Sequence, residues 1–284
     1  MKIGFLSGYD KGKIEFAGKN GFGSIQLIVN PGGPLDPTTV GRDAILEAKE
    51  FIEGAGVEIS ALGAYRGNCL HGDSAERGAA IEFLKKTMDL CETLDVAVLG
   101  TVPGRDTEKS IDENIAGFKE VFTPLARMAE DAGLRIAFEN CPRFHYFPFR
   151  GVNIAYCPRA WDMMFDAVPS EALGLEYDPS HPVSMFMDVI EPIHRYGERI
   201  YHVHAKDTEI LKGNLSENGI LQPGMFRYRL PGYGDVDWVR FVSALFEIGY
   251  SGNMDIEGCV DPMSLGSEEQ GLLLAKKFLS QVLP

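Results

Sequence analysis

Short apolar runs recur along the chain. Each is closed by Gly, Pro or polar residues, and most lead into a segment with helical spacing. They lie at 2–6 (KIGFL), 24–29 (SIQLIV), 57–62 (VEISAL), 95–100 (DVAVLG), 134–140 (LRIAFEN), 173–178 (LGLEYD), 200–207 (IYHVHAKD) and 253–258 (NMDIEG). Their length and punctuation predict eight strands. Between them, 38–53, 75–93 and 113–132 read as amphipathic helices. The second carries Ile81, Leu84, Met88 and Cys91 at helical spacing, and the third Ile115, Phe118, Phe122, Leu125 and Ala129. Two helices run into Gly56 and Gly133, residues suited to the left-handed stop of a helix. Strands that alternate with helices pair in parallel through crossovers. Eight such units predict an α/β fold, a single (β/α)8 TIM barrel over 1–284. The rival, an open doubly wound sheet, usually carries a glycine fingerprint after its first strand. Here SGYDKGK is not G-x-G-x-x-G, and no GxxxxGK[ST] occurs.

Two strand-to-helix connections are long, 141–157 and 208–234. Both follow a strand, so both are expected on the C-terminal rim, where barrel active sites lie. Their aromatic and Arg content argues for lids or binding loops rather than disorder.

Four of the late strands end in metal-ligand residue types: Glu139, Asp178, His204 and Glu257. Side chains two apart share a strand face, so the next inward layer is Ala137, Glu176, His202 and Asp255. Barrel interiors are normally filled with branched apolar residues, and buried carboxylates are costly unless paired or metal-bound. Any one of the four alone reads as a strand-terminal polar residue facing solvent. Four at one height, on consecutive strands, predict a compensating cation. Three carboxylates and one imidazole suit one divalent metal ion, with Mn2+, Mg2+ or Co2+ favoured and Zn2+ also admitted. His202 and Asp255 either orient those ligands or form a buried pair with no metal role. Lys206 shares the face of His204, to hold a substrate oxyanion or pair with a ligand carboxylate. Arg227 and Arg229 lie in the 208–234 segment with forked donors suited to substrate oxygens, or as solvated loop charges. His71 is a candidate rim residue, and Asp235 a candidate N-cap for a helix beginning near Val236. His145 and His194 read as loop or core.

Composition narrows the function. The chain has 284 residues, 45% hydrophobic and 24% charged, with a net charge of −14. Its apolar runs fall far short of the roughly 20 residues that span a bilayer. A duplex binder needs a basic footprint, so neither nucleic acid nor a membrane is an expected partner. Five cysteines, an odd number with no C-x-x-C, argue against a disulfide framework or a thiolate zinc site. They suit a reducing cytoplasm. The start, MKIGFLSGYD, is too short in apolar residues for a signal peptide.

Ordered pieces of the chain resemble the sugar phosphate isomerase/epimerase family, the xylose-isomerase-like barrels. The pieces are YRGNCLHGD (65–73), AFEN (137–140), EYDPSH (176–181), YHVHAKD (201–207), GYGDVDW (232–238) and DIEG (255–258). Each is weak alone; the ordered set is specific. The resemblance implies that Glu139, Asp178, His204 and Glu257 are divalent-metal ligands and that His181 contacts substrate. It also implies that Glu139 and Glu257 move a proton on opposite faces of a ketose. The chain departs from the family's endonuclease branch. Arg227-Tyr228-Arg229 stands where that branch has Asp-x-His, and Gly100-Thr101 where it has a His. A three-metal phosphodiesterase site is disfavoured accordingly.

The chemistry follows from general principles. A metal bound by a carbonyl and a neighbouring hydroxyl acidifies the adjacent C–H and stabilises the enediolate. Paired carboxylates then remove and return the proton. The expected protein is a metal-dependent isomerase or epimerase acting on a sugar, keto-sugar or polyol-derived substrate. The alternative is a metal-dependent lyase that dehydrates a keto-polyol on the same fold. An endonuclease-like phosphodiesterase and a non-catalytic sugar-binding barrel rank below. Expected partners are a small-molecule carbohydrate and further copies of the chain, as a dimer or tetramer. Phe144, Tyr146, Phe147 and Phe149 are expected to form an apolar wall over a sugar ring or at an oligomer contact.

Overall fold

A computed structural model describes residues 1–146 and 149–284, and all of their side chains except those of 145, 146 and 149. Phe147 therefore lies outside the described residues, as do the side chains of His145, Tyr146 and Phe149. Among the described residues, eight parallel strands close a barrel. They are β1 (Ile3–Ser7), β2 (Ser24–Ile28), β3 (Glu58–Ala64), β4 (Val98–Thr101), β5 (Arg135–Glu139), β6 (Leu173–Tyr177), β7 (Ile200–Ala205) and β8 (Met254–Ile256). They neighbour one another in chain order, and β8 returns to β1 with Gly4 opposite Asp255. Around them run α1 (Lys11–Lys19), α2 (Arg42–Gly54), α3 (Ser74–Leu94), α4 (Ile111–Asp131), α5 (Pro158–Ala167), α6 (Glu191–Tyr196), α7 (Trp238–Glu247) and α8 (Glu268–Val282).

All eight expected strands are present, with shifted ends. β4 starts three residues late because Asp95 adopts a left-handed φ of 59° that closes α3, while Val96 N–H still donates to Cys91 O. The 200–207 run divides: β7 stops at Ala205, and Asp207 opens a hairpin on the rim. Gly56 and Gly133 take the expected left-handed φ, 74° and 65°, after α2 and α4. Ser110 and Glu113 form a capping box on α4. The helix expected over 38–53 begins only at Arg42. The carboxylate of Asp36 collects Gly32 N–H, Thr38 N–H and the Thr38 hydroxyl, and so holds the preceding residues in turns. Asp235 is not the cap of α7. Asp237 accepts Arg240 N–H in that role, whereas Asp235 accepts Ile210 N–H from the rim hairpin.

The outward faces of the strands pack on the helices and form the apolar core. Phe138 of β5 meets Phe118 and Phe122 of α4 edge-on, at 5.6 and 5.1 Å between ring centres. Tyr177 of β6 stacks on Phe241 of α7 at 6.2 Å. The inward faces carry polar side chains, and two strands supply glycine beside them. A Cβ at Gly100 would stand 2.6 Å from the Glu176 carboxylate, and one at Gly4 would overlap Asp255 and Ser24. These positions leave room for charged side chains crossing the barrel.

The two long connections carry structure of their own. After β5, strands Phe144–Tyr146 and Phe149–Gly151 form a hairpin. After β7, strands Asp207–Ile210 and Phe226–Arg229 form a second, with a short helix, Lys212–Asn218, between them. The Asp207 carboxylate fastens this second segment by accepting N–H groups from Thr208, Gly232, Gly234, Val236 and the Trp238 indole. Phe144 reaches across to Phe226 of the other hairpin, 6.0 Å between ring centres. Among the described residues no helix is long and apolar enough to cross a membrane.

Candidate metal centre

The barrel interior contains a lower polar layer in which every carboxylate is partnered. His202, on β7, stands between two carboxylates, with Nδ1 2.9 Å from Glu176 Oε1 and Nε2 2.8 Å from Asp255 Oδ2. Asp255 also accepts from the hydroxyls of Ser24 (2.7 Å) and Ser60. Glu176 also accepts from the Gln26 amide and the Tyr65 hydroxyl, each at 2.6 Å. Burial alone would raise the Glu176 pKa, but the His204 and His202 imidazoles and their hydrogen bonds hold it down at about 2. Burial would likewise lower the pKa of His202, and its two carboxylates raise it instead.

Above this layer, Glu139, Asp178, His204 and Glu257 converge. One ligand atom from each lies within 4.8 Å of all the others. Three come from the ends of β5, β6 and β7. Asn140 ties the end of β5 to the end of β6, donating to Asp178 O at 3.0 Å and accepting Asp178 N–H at 2.8 Å. Ser180 N–H holds Asp178 Oδ1 at 2.8 Å, which leaves Oδ2 aimed at the cluster. His204 Nδ1 stands 3.7 Å from Glu139 Oε1 and 3.5 Å from Glu257 Oε2. Glu257 follows β8, its N–H bonded to Ala205 O, and its side chain alone among the four reaches the mouth, at 31% exposure.

This upper layer is incomplete. Among the described side chains, His204 Nδ1 is buried with no hydrogen-bond partner, and Asp178 Oδ2 has none beyond its ion pairing with Lys206 and His181, a costly state for polar atoms. Both belong to the converging set, and both are atoms a divalent cation takes. The donor set and these two atoms therefore fit a metal ion.

Two cationic groups border the cluster. Lys206 Nζ lies 3.0 Å from Asp178 Oδ2 and 2.5 Å from Glu257 Oε2. Burial would lower its pKa, but Asp178 and Glu257 raise it well above the ordinary lysine value, so it is charged. His181 stands on a one-turn helix, Ser180–Ser184, directly after β6. Its Nε2 is 3.4 Å from Asp178 Oδ2 and 3.5 Å from Glu139 Oε1. The structure thus brings six of the sequence-derived residues together: Glu139, Asp178, His181, His204, Lys206 and Glu257.

Three others lie elsewhere. Arg229 is held between the carboxylates of Glu209 and Asp261, with Nε 2.7 Å from Asp261 Oδ2. His71 is exposed, and its Nδ1 accepts Asp73 N–H at 3.1 Å beside the cap of α3. Arg227 pairs with Glu209 at 2.7 Å.

Three residues of the site escaped the sequence reading. Tyr228 places its hydroxyl 3.2 Å from His181 Nδ1 and its ring 4.7 Å from Lys206 Nζ. Gln26 and Tyr65 hold Glu176. The signal for Gln26 was a lone amide inside the apolar run SIQLIV; Tyr65 opens YRGNCLHGD, where a tyrosine beside an arginine and a glycine has no chemical signature of its own.

A family model described as xylose isomerase-like TIM barrel matches residues 14–281. Inosose isomerase of Bacillus velezensis is 30% identical over 179 residues, 62% of this chain and 59% of that protein. Inosose dehydratase of Geobacillus kaustophilus is 24% identical over 143 residues, 48% of this chain and 43% of that protein. The chain therefore spans about half the length of the curated relatives it matches. The crystal structure of IOLI protein with a bound zinc atom superposes on all of this chain and 98% of that one, with a TM-score of 0.78 at 23% identity. Barrel, register and family model agree, and the chain belongs to the xylose isomerase-like TIM barrel family.

Proposed function

We propose that the protein is a divalent-metal-dependent enzyme that moves a proton next to the carbonyl of a sugar, keto-sugar or polyol-derived ketone, as an isomerase or epimerase. The observation that carries this reading is the convergence of Glu139, Asp178, His204 and Glu257, with His204 Nδ1 buried and unpartnered and Asp178 Oδ2 met only by the flanking Lys206 and His181. A divalent ion held by these four residues would act as a Lewis acid on the carbonyl oxygen and acidify the neighbouring C–H. Manganese, magnesium and cobalt suit the oxygen-rich donor set, and the zinc-bound structural neighbour keeps zinc on the same footing.

The chain's own residues supply the rest. Glu139 ends β5 and Glu257 follows β8, with β6 and β7 between, so a ketone bound at the centre offers one face to each. One carboxylate takes the proton from carbon, and the other delivers a proton to the opposite face. Lys206 and His181 present N–H donors to the oxygen that gains negative charge. Tyr228 covers both and limits water above them. Arg229 belongs to the same hairpin strand as Tyr228, and its clamp on Glu209 and Asp261 keeps that strand in place; its role toward substrate is exercised through this positioning. His71 has no part in the reading.

The dehydratase alternative stands on the inosose dehydratase relative. It uses the same proton removal, after which the β-hydroxyl departs as water with a proton from His181 or Lys206. Both forms are tested by incubating the protein and each candidate ion in D2O with a panel of ketoses and inososes. Deuterium entering one carbon beside the carbonyl is the expected result for isomerase or epimerase, and a new enone absorbance for the dehydratase. Absence of both across the panel and across all four ions overturns the reading.

A further inference from the structure

The lower layer bears on the upper one at His204 Nε2, where the Gln26 amide oxygen is the nearer partner at 2.8 Å and Glu176 Oε1 the farther at 3.2 Å. Gln26 sits mid-strand in β2, fully buried, where a barrel interior ordinarily takes an apolar side chain. Its Nε2 donates to Tyr65 OH and to Glu176 Oε1, each at 2.6 Å. Tyr65 in turn gives its own proton to Glu176 Oε2 at 2.6 Å, so its hydroxyl oxygen is free to accept from Gln26. Both amide N–H groups are thereby assigned, and the orientation of the carboxamide follows: Oε1 must face the other way. It faces His204 Nε2 at 2.8 Å. A carboxamide oxygen only accepts, so His204 Nε2 must carry a proton. Glu176 Oε1, 3.2 Å from the same nitrogen, is a second acceptor and demands the same.

From this arrangement we propose that Gln26 is a positioning residue that fixes the ring and tautomer of His204, so that Nδ1 is the nitrogen offered to the cation. Nδ1 is the ring atom that points between Glu139 and Glu257, and it is one of the buried atoms without a partner. The inference rests on the metal reading of that cluster and adds what selects its one nitrogen ligand. Partners that hold the far nitrogen of a ligating imidazole typically change metal affinity by about 10–100-fold when removed. The sequence offers a reason for the choice of residue as well. A carboxylate at this position would set a second negative charge against Glu176, and an aliphatic residue would leave His204 Nε2–H and Glu176 with fewer partners. An amide is both the donor and the acceptor that the two neighbours require.

The test uses the full chain without substrate. Zn2+ and Mn2+ affinities are measured by competition with a chromophoric chelator for the wild type and for Gln26→Met, which keeps the side-chain length and loses both functions. A drop of about 10–100-fold in affinity is expected, with a comparable drop for both ions. Equal affinities overturn the proposal. In parallel, 15N spectra of the histidine rings in the zinc-loaded wild type should show His204 protonated at Nε2 and metal-bound at Nδ1. Zinc on Nε2 overturns the proposal even if the variant does not fold. The two readings fail differently: a wild type that binds neither ion removes the metal centre itself, whereas a wild type that binds and a variant that binds equally well removes only the role of Gln26.

Discussion

The barrel interior holds two stacked sets of carboxylates and imidazoles, two residues apart along the same strands. The lower set, Glu176, His202 and Asp255, is closed. Each carboxylate meets His202, and serines, Gln26 and Tyr65 take up the remaining acceptors. The upper set, Glu139, Asp178, His204 and Glu257, draws on similar residue types and stays open: His204 Nδ1 is orphaned, Asp178 Oδ2 is met only by Lys206 and His181, and one carboxylate reaches the mouth. Residue type alone therefore does not distinguish a structural ion network from a metal centre; the balance of donors and acceptors does. The lower set has a hydroxyl, amide or imidazole for each acceptor. The upper set has three carboxylates and an unpartnered imidazole nitrogen with only Lys206 and His181 as donors, and the deficit that remains has the sign of a cation.

The largest effect should come from breaking the upper set. Glu139→Gln or Glu257→Gln keeps the shape and one oxygen but removes the base. Either change should cost kcat more than the roughly 10²–10⁴ of one acid–base group, because metal binding weakens as well. Metal content measured on the same sample separates the two causes. A Gln variant with full metal that still exchanges the substrate proton at the wild-type rate would reduce that glutamate to a ligand and hand the proton to His181 or Lys206.

The lower set should respond in stability instead. His202→Leu strips the shared partner from two buried carboxylates, and breaking a buried ion pair in this way costs about 3–5 kcal/mol. Urea unfolding of the metal-free variant measures the loss. Saturating metal should still stabilise what remains folded, by about 2.7 kcal/mol at a hundredfold excess over Kd, and Asp178→Asn should abolish that increment while leaving metal-free stability closer to wild type. If the two variants exchange behaviours, the division between a structural layer and a ligand layer is wrong.

The strands, their order and the four converging positions were legible because they depend on local period. Apolar runs of strand length alternate with helical spacing, and a strand-end carboxylate or imidazole shows itself in AFEN, EYDPSH, YHVHAKD and DIEG. His202 was recognised as an inward residue, but its sequence left a metal-orienting and a purely structural role open, since the partners that settle its surroundings come from β2, β3, β6 and β8. Gln26 lies 150 residues from Glu176 and 178 from His204, and no local pattern links them. Arg229 was misleading for the same reason: an Arg-Tyr-Arg loop suggests oxygens to be bound, and the two carboxylates that occupy it, Glu209 and Asp261, stand 20 and 32 residues away.

That clamp gives the smallest effect and the sharpest contrast with both layers, because it lies outside them. Asp261 is buried beneath the rim, where burial alone would raise its pKa. The Arg229 guanidinium and the N–H groups of Met263 and Leu230 outweigh this and hold the carboxyl below the usual aspartate range. A depressed folded value means that the charged form contributes stability above the unfolded pKa of about 3.9. The contribution is lost as pH falls below that and through the folded value. Asp261→Asn should therefore lower metal-free stability at pH 7 by about 1.5–3 kcal/mol, the range for hydrogen bonds to a charged group, and should converge on wild type in acid. Because Arg229 shares a strand with Tyr228, and Tyr228 covers His181 and Lys206, the same variant and Arg229→Ala should raise KM with metal affinity unchanged. Urea melts at pH 7 and pH 3, together with KM and a metal titration, measure all three. A metal affinity that falls with either variant would join the clamp to the upper layer and erase the distinction between rim and centre.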